Sequence, residues 1–508
     1  MNDTIWKLLS VGADDAPAIE APGQSALTFS SLRQLVSKRA ADLNARGIGR
    51  NSRVAIVLPN GPEMATAFLT VGACAVAAPL NPAYRFQEFE FYMTDLGASL
   101  LVCQKGVETA AREAADKLGV PILEIAPDGS NIAGRFEFAG LGGAGASAPI
   151  FSERDDVALV LHTSGTTSRP KIVPLTQLNV ASSAANIAAT LELADVDRGL
   201  NIMPLFHIHG LIAALLAPLS AGGAVCCTPG FNALKFFSWM NEAAPTWYSA
   251  VPTMHQALLG RAAANREVIA RHPLRFVRSS SSSLPPQVTV ELEDAFGCPV
   301  LEAYGMTEAA HQMASNRLGG EVRKTGSVGQ AAGPEIAIMA EDGRMLAAEE
   351  IGEIVIRGAN VTSGYENNPS ANAEAFRNGW FRTGDQGALD ADGHLRVTGR
   401  LKEIINRGGE KISPREVDEV LMDHPDVAQA VTYSTPHDKL GEEVAAAIVL
   451  RDGAVVTDRE LKAFAADRLA PFKVPRIFVF LAEIPKGPTG KLQRIGLAKV
   501  IADLQANA

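Results

Sequence analysis

Between Phe29 and Arg46 the apolar residues Leu32, Leu35, Val36, Ala40 and Leu43 recur at helical spacing, which predicts one amphipathic helix. Ser30 or Ser31 is placed to cap its start, and Gly47 ends it. A short apolar run at 53–59 reads as a strand, the stretch 62–78 as a helix, and 99–104 as the next strand. This rhythm predicts a parallel sheet with helices on its faces. It recurs at 156–164, 245–252 and 275–280.

Beyond about residue 320 the pattern changes. Runs at 352–358 and 379–400 give short strands with turn pairs such as Asp392-Gly393, which predicts antiparallel structure. A helix starting at Pro414 opens a last block with strands at 444–450 and 476–481 and a helix at 458–470, the pattern of a small α+β unit. The expected fold is α/β: a large N-terminal domain of several subdomains, with parallel-rich sheets and a β subdomain, followed by a small α+β domain. The boundary is expected within 398–411.

The chain has 508 residues, 47% of them hydrophobic and 20% charged, enough for a large core. Its formal net charge of −10 argues against non-specific binding to nucleic acid or membrane surfaces. The five cysteines have neither C-x-x-C nor zinc-ligand spacing and are expected to be buried reduced thiols. The most apolar stretch, Ala67 to Leu80, is broken by Gly72 and Pro79 and is too short to span a bilayer. The first residues lack a secretory pattern, and the last are not a peroxisomal address. A soluble cytoplasmic protein is expected.

The densest candidate chemistry lies at 161–175. Thr163, Ser164, Gly165, Thr166, Thr167 and Ser168 follow a predicted strand and are closed by Lys171. Such a loop can aim backbone N–H groups and hydroxyls at phosphate oxygens, with the lysine adding charge. The pattern differs from G-x-x-x-x-G-K-[ST], so by itself it is either another kind of phosphate loop or a polar surface loop.

Six segments in order settle that choice by resemblance: 163–171, 204–211, 302–310, 379–387, 399–421 and 485–494. Together they resemble the blocks of the adenylate-forming superfamily of acyl-CoA synthetases, luciferases and adenylation domains. The resemblance covers nearly the whole chain. It implies a domain at 1–398 holding the phosphate loop, acid and AMP sites, a hinge at 399–402, and a mobile domain at 403–508. It also implies ATP, Mg²⁺ and CoA as participants and a small carboxylic acid as substrate.

Residue by residue, the resemblance gives Lys491 as the catalytic lysine, Thr307 as an α-phosphate contact and Glu308 as the Mg²⁺ ligand. Ala303 and Tyr304 would face adenine, and Asp385 and Arg400 the ribose. Lys411 would reach the nucleotide, and His207 would stand between the ATP and acyl halves of the site. Lys402 falls at the hinge, and Gly408 and Gly409 would line the pantetheine tunnel. More finely, 277–286, 301–316, 324–330 and 405–427 look like the oxalate–CoA ligase branch. There His311, with Ser281 and His209, would suit a short acid carrying a second carboxylate. Ligases for malonate, aromatic or fatty acids, an enzyme loading a carrier protein, and a catalytically dead ATP-binding protein remain the alternatives.

Overall fold

The computed structural model of the chain describes residues 2–139, 148–163, 170–319, 323–324, 326–485 and 494–506. Two large sheets build its first part. One has seven strands, five of them parallel, with antiparallel strands at its edges. The other has nine, with a parallel centre and antiparallel outer strands. The helix Pro62–Cys74 is buried along nearly its whole length, and its apolar residues join one core that spans both sheets.

The helix predicted over 29–46 forms as Phe29–Asn44 and buries all five residues named for its face. Its cap is Thr28, whose hydroxyl accepts from Ser31 N at 3.3 Å. The start precedes both predicted serines because Phe29 already belongs to the buried face. The run 62–78 is not one helix. It ends at Cys74, and Val76–Pro79 becomes a strand beside Arg53–Val57. Both halves are buried on all sides, so apolar periodicity carries no mark of the change.

Eight strands carry the candidate site. They are β1 (Val157–Thr163), β2 (Lys171–Thr176), β3 (Trp247–Ala250), β4 (Phe276–Ser279), β5 (Val300–Met306), β6 (His311–Ser315), β7 (Trp380–Leu389) and β8 (Leu395–Arg400). β1 and β2 form a hairpin in the seven-stranded sheet, pairing Thr163 with Lys171. β3, β4 and β5 are parallel neighbours in the nine-stranded sheet, and β6 returns antiparallel to β5. β7 and β8 belong to a separate antiparallel sheet of five strands, where Asp385 lies opposite Arg400.

After β8 the pairing partners change. Leu401–Glu403 is a short 3₁₀ turn, and Ile405–Arg407 already belongs to the last five-stranded sheet. That sheet packs against the helices Pro414–Met422 and Asp458–Ala466 around its own core. All five cysteines are buried and free, as expected. Among the described residues no helix is long and apolar enough to cross a membrane.

Candidate active site

The candidate residues gather where the parallel strands end, the usual place for ligand sites in α/β sheets. β5 runs through Ala303 and Tyr304 into a 3₁₀ turn, Thr307–Ala309. The carboxylate of Glu308 is buried there and accepts from the Tyr365 hydroxyl at 2.9 Å. Lys171, at the head of β2, places Nζ 4.3 Å from the Tyr365 ring centroid. Burial raises the Glu308 pKa, and the Tyr365 hydrogen bond and the charges of Arg400 and Lys171 oppose the rise.

A second group stands beside the first. Tyr304 donates to Asp385 Oδ2 at 2.5 Å, and Asp385 Oδ1 lies 3.3 Å from Arg400 Nε. The cross-strand register of β7 and β8 makes this pair possible. Burial raises the Asp385 pKa, and Arg400 is the largest influence against it. Ala303 is buried, and its carbonyl accepts from Ser280 Oγ at 2.9 Å.

A third cluster lies at the ends of β3 and β4. His209 is fully buried, with Nδ1 3.1 Å from Ser281 Oγ and Nε2 2.6 Å from Ser249 Oγ. Its ring stacks on His311 with centroids 4.8 Å apart. Between them sits Arg278, a residue the motifs did not single out. Its Nη1 is 3.4 Å from His209 Nε2 and 3.2 Å from His311 Nε2, and its Nη2 donates to Gln312 Oε1 at 3.3 Å. Arg278 is wholly buried, its Nε has no hydrogen-bond partner, and no carboxylate pairs with it among the described residues. Burial pulls its pKa down to about 9, which leaves it cationic at neutral pH.

The backbone around this cluster is unusual. Ser281, Ala310 and His311 adopt φ of 74°, 47° and 102° without being glycine. Such conformations cost about 1–3 kcal/mol each and concentrate at functional sites. Gly305 permits the close approach of β6, since a Cβ there would stand 1.7 Å from the His311 carbonyl oxygen. His207 and His209 do not alternate along an extended segment. The chain enters a π-helix at His209, and His209 N donates back to His207 Nδ1 at 3.2 Å. π-Helical segments are rare and recur at functional sites.

The structure therefore brings together Thr163, Lys171, Tyr304, Thr307, Glu308, Asp385 and Arg400, and separately His209, Ser281 and His311. Ser164, Gly165, Thr166, Thr167 and Lys491 lie outside the described residues. Lys402 is exposed in the 3₁₀ turn after β8. Gly408 and Gly409 make a two-residue hairpin turn with φ of 62° and 97°, and Lys411 is exposed on its second strand. Among the described residues neither Lys402 nor Lys411 forms an ion pair. Arg494, three positions after Lys491, pairs with buried Asp418 and lies 3.4 Å from Glu403 in the 3₁₀ turn after β8.

Sequence reasoning missed Arg278, Ser249, Gln312, Tyr365 and Arg494. An arginine inside a short apolar strand was the one available signal, because charged residues are rarely buried without purpose.

Comparison with known proteins adds to this geometry. Residues 11–366 match the AMP-binding enzyme family and residues 416–491 match the AMP-binding enzyme C-terminal domain. An oxalate–CoA ligase of Arabidopsis thaliana is 46% identical, over 97% of this chain and 98% of that protein. An oxalate–CoA ligase of Saccharomyces cerevisiae is 41% identical, over 90% and 88%. ATP-bound MatB from Rhodopseudomonas palustris superposes with a TM-score of 0.89 at 30% identity, over 99% of this chain and 100% of that one. The apo form of the same protein, with the same coverage, gives 0.80.

Proposed function

Because the chain belongs to the AMP-binding enzyme family, we propose that it is an oxalate–CoA ligase, forming oxalyl-adenylate from ATP and then oxalyl-CoA. One observation carries the choice of acid: the buried Arg278, ringed by His209, His311, Ser249 and Gln312 and without a carboxylate partner among the described residues. A buried cation is costly unless an anion meets it. A monocarboxylic acid commits its one charge to attack on the α-phosphorus. Oxalate keeps a second carboxylate, one bond away, for the cluster. The similarity to two oxalate–CoA ligases supports the same choice.

In the first half-reaction a carboxylate oxygen attacks the α-phosphorus and pyrophosphate leaves. Positioning and charge stabilisation supply the rate, so no covalent enzyme intermediate is needed. Asp385 and Arg400 hold the ribose, Tyr304 and Ala303 face the adenine, and Thr307 contacts the α-phosphate. The loop 163–171 and Lys171 cradle the outer phosphates, and Lys491 offsets charge at the reacting centre. His207 stands between the nucleotide and the acid.

A single buried carboxylate that accepts a hydrogen bond from a neutral hydroxyl is a donor set suited to Mg²⁺. Glu308, with the Thr307 hydroxyl, would hold the ion, which would neutralise phosphate charge. The higher score against the ATP-bound MatB state supports reading the present arrangement as the one used for adenylate formation. In the second half-reaction the C-terminal block turns about 399–402, and the CoA thiol attacks the adenylate carbonyl, releasing AMP. Gly408 and Gly409 then leave room for the narrow pantetheine arm, and Lys411 withdraws from the nucleotide.

The test is CoA-ester formation from oxalate, acetate, malonate and a cinnamate, read by mass. Oxalyl-CoA is the expected product. Turnover of the other acids with none from oxalate would reject the assignment. Substituting Lys491→Ala is expected to abolish acid-dependent ATP–pyrophosphate exchange.

A further inference from the structure

We propose that Arg53 is a positioning residue of the nucleotide site. Paired with Glu366, it holds Tyr365 where the hydroxyl meets Glu308 and the ring meets Lys171. This role rests on the reading of Lys171 as a phosphate contact and of Glu308 as the Mg²⁺ ligand.

Tyr365 lies in the loop 358–368, between the strand Gly352–Arg357 and the helix Pro369–Ala375. Neither a strand ladder nor a helix fixes a side chain there, so its place depends on the bonds that the loop makes. Before it, Thr362 N donates to the Glu308 carbonyl at 2.7 Å, and the Thr362 hydroxyl donates to the Pro174 carbonyl on β2 at 2.7 Å. At Tyr365 itself, Asn372 accepts from the backbone N at 2.7 Å and donates to the carbonyl at 2.8 Å. After it comes Glu366, whose N donates at 3.1 Å to the carbonyl of Ile172, the residue next to Lys171.

The Glu366 carboxylate then meets Arg53. Arg53 Nη2 donates to Oε1 at 2.6 Å and to Oε2 at 2.7 Å, and Nη1 donates to the Leu96 carbonyl at 2.9 Å. The guanidinium is thereby held from two sides. Arg53 opens the strand Arg53–Val57 in the middle of the seven-stranded sheet, the sheet that also carries Lys171. Glu308 follows β5 of the nine-stranded sheet. Tyr365 must therefore bridge two sheets, and the Arg53–Glu366 pair ties its loop to the sheet on the lysine side.

The charge of Arg53 is answered by Glu366, so its part in the site is geometric. The two side chains are 26% and 25% exposed. Water can reach either partner, so losing the pair costs the fold little. It costs the site more, because outer partners orient the groups that bind, and a shell left loose by about 1 Å loses its ligand.

Direct metal binding tests this on the full chain. Mn²⁺ is the probe, followed by electron paramagnetic resonance in the presence of α,β-methylene-ATP, whose α–β bridge cannot be cleaved. Arg53→Met should weaken Mn²⁺ binding by about three- to tenfold, less than the roughly 10–100-fold that removing a direct outer partner of a metal ligand costs. Added to Tyr365→Phe, which has already lost the hydroxyl, the same change should weaken binding no further. A merely structural role for Arg53 would cost the same in both backgrounds. That result, or no loss in either, would overturn the proposal. If Arg53→Met does not fold, Glu366→Gln decides by the same cycle: it should weaken binding only while the Tyr365 hydroxyl is present.

Glu308→Gln separates the role of Arg53 from the reading beneath it. Undiminished Mn²⁺ binding by Glu308→Gln would reject Glu308 as the metal ligand, and the role of Arg53 with it. Losses in Glu308→Gln and Tyr365→Phe without a loss in Arg53→Met would reject Arg53 alone.

Discussion

The Tyr365 hydroxyl donates to Glu308 Oε1 at 2.9 Å while the face of the same ring lies 4.3 Å below Lys171 Nζ. One side chain thus ties the lysine that closes the hydroxyl loop to the carboxylate proposed for Mg²⁺. Tyr365→Phe keeps the ring under Lys171 and removes only the donor. A hydrogen bond to a charged group contributes about 1.5–3 kcal/mol, so kcat/KM for ATP should fall by roughly ten- to a hundredfold. The Mg²⁺ concentration for half-maximal rate should rise with it, and the KM for the acid should stay put. A Mg²⁺ titration of the initial rate measures this, and an unchanged half-point would show that Tyr365 does not hold Glu308 for the ion.

Glu302, on β5 two residues before Tyr304, has its carboxyl pKa pushed up to about 7, chiefly by burial, with Arg415 the largest influence against it. Among the described residues its carboxylate accepts one hydrogen bond, from Leu284 N at 3.2 Å. Unfolded, the group ionises near 4.5. Between those values the folded chain holds more protons than the unfolded one, so this residue makes stability fall as pH rises through that window and level off above pH 7. The full cost is about 3 kcal/mol. Glu302→Gln keeps an acceptor for Leu284 and cannot ionise. Its melting temperature should match the wild type's near pH 4.5 and exceed it by several degrees at pH 8. Parallel melting curves of the two proteins across pH would remove Glu302 as the source.

Much of the candidate nucleotide site was legible because its residues sit in short segments whose spacing survives folding. Asp385 and Arg400 were named separately, and the β7–β8 register then set them opposite each other. The cluster proposed for the acid was legible only in part. His209, Ser281 and His311 lie in three segments joined by the strand order of the nine-stranded sheet, but Arg278 at their centre sits inside an apolar strand and carries no spacing signature. Tyr365 stands in an irregular loop, where periodicity says nothing. The π-helix at His209 and the break at Ala75 were hidden for one reason: both lie in runs buried on every side, where packing rather than amphipathic pattern decides the backbone.

Arg494 pairs with Asp418, which is buried on the helix Pro414–Met422 and also accepts from Thr432 N at 2.5 Å. Burial raises the Asp418 pKa, and the Arg494 charge is the largest influence against it. Arg494→Met would leave that carboxylate without its cation, at a cost of about 3–5 kcal/mol. The melting temperature should drop by several degrees, and Asp418→Asn added to Arg494→Met should recover much of the loss. Calorimetry on the two single variants and the double variant measures the coupling. Additive losses would mean that the two side chains do not depend on each other.

Arg415 reaches back past the 3₁₀ turn proposed as the hinge, its Nη1 donating to the Val397 carbonyl at 2.5 Å and its Nε to Glu419 at 2.8 Å. Beside it Ser413 donates to the Thr398 carbonyl. The bonds to Val397 and Thr398 join residues on either side of Lys402, so a rotation there must break them. The arrangement they hold is the one closer to ATP-bound MatB. Arg415→Met removes a charged hydrogen bond, worth about 1.5–3 kcal/mol, from this arrangement and not from the rotated one. An equilibrium shifts by about tenfold for each 1.4 kcal/mol of such a difference, so the adenylating arrangement should lose occupancy by roughly ten- to a hundredfold. Acid-dependent ATP–pyrophosphate exchange should fall, while thioester formation from supplied acyl-adenylate and CoA should hold or rise. Equal losses in both half-reactions would mean that Arg415 supports the fold of its helix and has no preference between the two domain arrangements.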